Sequence, residues 1–131
     1  MRELFVMPGP TEVEPSVIQA MCRPAISHGD VRFHEVMDRA SESVAKIIGT
    51  SGQVVILVAS GRGGIEASLS TALEPDDHVL VINNGVFGTM LTNISSRCRL
   101  NVTEIRGEPG KPLDLERIDR AASAKGLKAL V

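Results

Sequence analysis

Val54-Val55-Ile56-Leu57-Val58-Ala59-Ser60-Gly61-Arg62-Gly63-Gly64-Ile65-Glu66-Ala67 is the stretch from which the fold is read. Its first five residues form an unbroken, mostly β-branched apolar run, the pattern of a strand buried on both faces. Glycines then interrupt the chain, and a helix is predicted from about Gly64 to Leu73, stopped by Glu74-Pro75. A strand that hands over to a helix through glycine gathers unpaired N–H groups and the positive end of the helix dipole at one point. An anion fits there, and Ser60 and Arg62 can add a hydroxyl and a charged fork. Tight packing of helix on strand explains the glycines equally well, and spacing alone does not choose between the two. No Walker A loop occurs in the chain, and the dinucleotide fingerprint counted from Gly61 places Glu66 where its third glycine belongs.

Downstream, strand and helix periods alternate. His78-Val79-Leu80-Val81-Ile82 reads as a second buried strand, ended by the turn residues Asn83-Asn84-Gly85. Val86 to about Arg97 is predicted helical, with Met90, Leu91 and Ile94 on one face. Asn101 to Ile105 is a shorter, less apolar strand placed nearer an edge, and Asp114 caps a helix running to about Lys125. Leu127 to Val131 opens a further strand. Repeated strand–helix–strand units predict a parallel sheet flanked by helices. Ligands of such sheets sit beyond the carboxyl ends of the strands, which puts the Ser60 turn and the Asn83–Gly88 turn at the same edge. Phe87, between Gly85 and Gly88, can lay its ring against a flat ligand there; an aromatic facing the core at a helix start is the competing reading.

Upstream, Pro15 to Met21 reads as a short helix and Val31 to Ile48 as a long one. The stripe of Phe33, Val36, Met37, Ala40, Val44 and Ile47 on the long helix is read as core. The chain has 131 residues, 43% hydrophobic and 23% charged, with a formal net charge of -2. That balance gives no electrostatic case for nucleic acid or an anionic membrane. No apolar stretch approaches the roughly 20 residues that span a bilayer, and the apolar run within Met1–Pro8 is too short for a signal-peptide core. A cytoplasmic or matrix-like location is the default expectation. Cys22 and Cys98 are far apart and are expected as reduced thiols, while His28, His34 and His78 show no ligand spacing, so no metal is expected. The chain stops at Lys128-Ala129-Leu130-Val131, inside an apolar strand pattern, and is expected to have been cut.

Four elements, taken together in order and spacing, resemble a known family. They are Pro8-Gly9-Pro10-Thr11, the Ser/Gly turn leading into Ile65-Glu66-Ala67, Leu73-Glu74-Pro75-Asp76-Asp77, and Asn83-Asn84-Gly85-Val86-Phe87-Gly88. They resemble the class V pyridoxal-phosphate aminotransferases, within them the alanine–glyoxylate, serine–pyruvate and ureidoglycine–glyoxylate group. The resemblance implies an α/β fold: the three-layer, mainly parallel sheet of the fold type I large domain, incomplete in this chain. Residues 1–25 would be an N-terminal segment near the active site and dimer boundary, and residues 26–131 the N-terminal part of the cofactor-binding large domain. The implied cofactor is pyridoxal 5′-phosphate. Ser60, Gly61 and Arg62 would hold its phosphate, Arg62 through its backbone N–H because the family varies the side chain there. Phe87 would stack on the pyridine ring, and Gly9 and His28 would approach the substrate, although a capping or surface role is the simpler reading of His28.

The implied activity is transamination of a small amino acid, alanine or serine, with a 2-oxo acid such as glyoxylate, in a homodimer. In the family, the lysine that carries the cofactor, the aspartate facing its pyridine nitrogen and a substrate-binding arginine come later in the chain. Lys46, Lys111, Lys125 and Lys128 all lie outside a site-like context. No catalytic residue is therefore assigned, and the chain alone is expected not to turn over. Alternatives are a class V lyase such as a cysteine desulfurase, or a noncatalytic truncated α/β phosphate-binding module. The Asn83–Gly88 and Ile65–Ala67 elements favour the transaminase branch, and the missing fingerprint disfavours a Rossmann reductase.

Overall fold

In a computed structural model, residues 5–131 are described, so the first four residues of the Met1–Pro8 segment lie outside the description. The chain forms two compact units, Met1–Ile56 and Leu57–Val131. The first contains α1 (Pro15–Met21) and α2 (Val31–Ile48). Pro15 opens α1 at a position where a missing N–H costs nothing. Asp30 caps α2 by accepting the Arg32 N–H at 2.9 Å, and Gly49 closes it in the left-handed region at φ 75. The apolar stripe of α2 is not core within this unit: Val36 is 45% exposed and Ile47 85% exposed. No residue of α2 is buried, because no other described element of its unit covers that face.

The second unit carries α3 (Gly61–Ala72), β1 (His78–Asn83), α4 (Val86–Arg97), β2 (Asn101–Arg106), α5 (Leu115–Ala122) and β3 (Leu127–Leu130). The sheet is parallel, in the order β2-β1-β3. Central β1 is the most apolar strand and is buried along most of its length, while the more polar β2 takes an edge of this sheet, as its composition predicts. Asn83 and Arg106 are register partners at the carboxyl ends of β1 and β2. Ile65 and Leu69 of α3 and its C-cap Leu73, with Met90, Leu91 and Ile94 of α4, pack around Val79 and Leu100. Asp114 caps α5 through the Arg117 N–H at 2.9 Å.

Local expectations also differ from the structure around β1. Val54–Val58 is not a strand: it has no ladder partner among the described residues, Val55 is 69% exposed, and Val58 is fully exposed. β-branched propensity makes a strand only where a neighbour accepts its hydrogen bonds. Asn83 is not a turn residue but the last residue of β1, 2% exposed. Among the described residues no helix is long and apolar enough to cross a membrane.

Candidate functional site

The helix α3 begins one residue after Ser60, earlier than the glycines suggest. Ser60 is its N-cap in extended conformation, and its hydroxyl makes no capping hydrogen bond. The first bond into the helix is donated by the Gly64 N–H to the Ser60 carbonyl at 3.1 Å. The amides of Gly61, Arg62 and Gly63 therefore precede the intrahelical ladder, with the positive end of the dipole behind them. A Cβ on Gly61 or Gly64 would meet nothing within 4 Å, so that end of the helix is open to an incoming group. Gly63 differs: a Cβ there would come within 2.9 Å of the Ala59 Cβ. The glycine cluster thus serves both readings, close packing at Gly63 and open approach at its neighbours.

Arg62 and Glu66 of α3 share the wall of a cavity of about 390 Å³ with Val86, Thr89 and Met90 of α4. The cavity takes Arg62 and Val86 from the starts of the two helices and runs along α4 to Arg97. Phe87 is 63% exposed at the first turn of α4, so its ring is outside the core, although it is not among the residues lining that cavity. Gly85, just before α4, has extended backbone at φ 165. His28 is exposed in the turn before α2, where Asp30 rather than His28 does the capping. Gly9 precedes α1 in an irregular segment. Both belong to the first unit, while Ser60, Gly61, Arg62 and Phe87 belong to the second. No lysine lines the α3–α4 cavity, and Lys111 pairs with Glu108.

Sequence reading missed a polar cluster between β1, β2 and α4. The buried Asn83 carboxamide donates from Nδ2 to Thr89 Oγ1 at 3.1 Å and to Glu104 Oε1 across the sheet. Its Oδ1 accepts the Gly85 N–H at 3.1 Å. Thr92 and Arg106 donate to the same carboxylate at 3.3 Å and 3.2 Å. The Asn83 hydrogen bond, helped by Arg106 and Thr92, holds the Glu104 carboxyl below its ordinary range against partial burial. The available signal was a polar residue ending the apolar run of β1, paired in register with a strand that carries an inward glutamate.

No family model matches the chain. Over 131 residues it is 30% identical to a protein of Anabaena cylindrica named soluble hydrogenase 42 kDa subunit, covering 98% of this chain and 34% of that one. It is 35% identical to the (S)-ureidoglycine–glyoxylate transaminase of Bacillus subtilis over 117 residues, 88% of this chain and 28% of that protein. The crystal structure of the Bacillus subtilis ureidoglycine–glyoxylate aminotransferase superposes with a TM-score of 0.86 at 32% identity, covering 98% of this chain and 35% of that one. The chain's homologues include alanine– and ureidoglycine–glyoxylate aminotransferases, as expected of part of a class V aminotransferase. The chain spans about a third of the length of the relatives it matches. The α/β fold expected from the family is present as a small parallel sheet with helices, an incomplete version of the relatives' domain. The cofactor of these aminotransferases is pyridoxal 5′-phosphate. The residues present fit it: an open helix start with an uncommitted hydroxyl suits a phosphate, and an exposed ring suits a pyridine face. These relatives do not favour the desulfurase or the truncated phosphate-binding module.

Proposed function

We propose that the whole protein transfers the amino group of a small amino acid, alanine or serine in type, to a 2-oxo acid such as glyoxylate. In this reading the present chain anchors the cofactor. The observation that carries it is the start of α3, where the Gly61 and Arg62 amides precede the helix ladder, the Ser60 hydroxyl makes no capping hydrogen bond, and Arg62 shares a cavity wall with Val86 of α4. The Gly61 and Arg62 amides and the Ser60 hydroxyl would bind the phosphate. Phe87 would offer its exposed ring to the cofactor's pyridine face. When bound, pyridoxal phosphate supplies the electron sink that weakens the bond from the substrate's α-carbon to hydrogen.

Gly9 and His28 are assigned to the approach of the amino and oxo acids, in a cytoplasmic homodimer. No residue of this chain is assigned the proton transfer. Adding pyridoxal phosphate to the protein as its gene encodes it is expected to give a visible absorbance band that borohydride bleaches. Transfer from alanine or serine to glyoxylate is expected alongside it. A protein that shows no such band would overturn the reading, and sedimentation velocity tests the dimer.

A further inference from the structure

We infer that Asn83 and Glu104 form a donor–acceptor latch that sets the position of the Phe87 turn, making both of them positioning residues for the cofactor ring. This rests on the cofactor reading above. The Asn83 carboxamide has each polar atom committed. Its Oδ1 holds the Gly85 N–H, and Nδ2 supplies Thr89 and the Glu104 carboxylate. Thr89 closes the same turn from the other side, its N–H donating to the Gly85 carbonyl at 3.0 Å. Gly88 seals it sterically, since a Cβ there would lie 2.5 Å from the Asn83 Cα. Residues 85–88, which carry Phe87, are thus wrapped around one side chain that is 2% exposed. A carboxylate accepts but cannot donate, so Glu104 on β2 dictates which way the carboxamide faces. Its oxygen is thereby left for Gly85. Arg106 and Thr92 also donate to Glu104 and hold its carboxylate in place. The turn's geometry is then set from the neighbouring strand, through a residue that touches neither ring nor phosphate.

The test is visible circular dichroism of the holoprotein, measured per bound cofactor at saturation, with far-ultraviolet dichroism to verify folding. Asn83→Asp puts an acceptor where Glu104 needs a donor. It is expected to lose more than half of the visible signal and to weaken cofactor retention about 10-fold, the size of one hydrogen bond to a charged group. Combining it with Glu104→Gln exchanges donor and acceptor and is expected to restore the signal. Should Asn83→Asp not fold, Glu104→Ala replaces it with the same expected loss. A folded single variant with wild-type dichroism and retention overturns the latch while leaving the cofactor reading intact. A wild-type protein without a borohydride-sensitive band overturns the cofactor reading, and the latch with it.

Discussion

Replacing Gly88 by alanine separates steric closure from helix propensity. The new Cβ would lie 2.5 Å from both the Cα and Oδ1 of Asn83 and 2.8 Å from its Cγ. Carbon atoms in contact prefer about 3.5–4.0 Å, so the overlap is on the order of 1 Å. The Asn83 Cα belongs to central β1, and its side chain is held by Thr89, Gly85 and Glu104, so neither can yield cheaply. The first turn of α4 must therefore lift off the sheet. Overpacking of this kind costs about 1–3 kcal/mol, and the better helix propensity of alanine returns up to about 1 kcal/mol. A net destabilisation of about 1–2 kcal/mol is expected, lowering the urea midpoint by about 0.5 M or more. Gly64→Ala is the matched control, because its Cβ meets nothing within 4 Å inside α3, and a gain of up to about 1 kcal/mol is expected. Urea unfolding of the cofactor-free protein measures both. Equal midpoints for the two variants would refute the packing argument.

Other outcomes are equally specific. Ser95 is fully buried on α4, and its Oγ finds no hydrogen-bond partner among the described residues. Ser95→Ala is therefore expected to stabilise the fold by about 1 kcal/mol in urea melts, and a loss would show that the hydroxyl is satisfied. Glu104 has its folded pKa below its unfolded value, so its contribution is present above the ordinary carboxylate range and fades as pH falls through the folded pKa. The stability gap between wild type and Glu104→Gln should shrink on acidification, and a gap independent of pH would sink this account. Asp114→Ala removes the acceptor for the Arg117 N–H and should cost about 1 kcal/mol in thermal or urea unfolding. Phe87→Ala should loosen bound pyridoxal phosphate about 2- to 10-fold by equilibrium titration, the worth of one aromatic pair; unchanged affinity would remove Phe87 from the site.

The parts of the fold legible in the sequence are those whose information is local. The apolar run in β1, the helical spacing of Met90, Leu91 and Ile94, and the Asp114 cap each sit within a few residues, and each forms as read. Val54–Val58 has the composition of a strand but depends on a neighbour that no local pattern specifies. The stripe on α2 failed for the same reason, since an amphipathic face says that something covers it and not what does. At the candidate site, the α3 turn was visible because glycine, serine and helix start are contiguous. The Asn83–Glu104 pair was not, because its partners are separated by 21 residues and meet only through the register of β1 and β2.

The uncovered Val54–Val58 segment also bears on how the chain fares during synthesis. It is uncharged, proline-free and β-branched, a composition that stacks readily between copies into cross-β ribbons. Left exposed, the stretch offers unpaired strand-forming backbone to other copies of the chain, the kind of surface that makes partly folded species prone to aggregate.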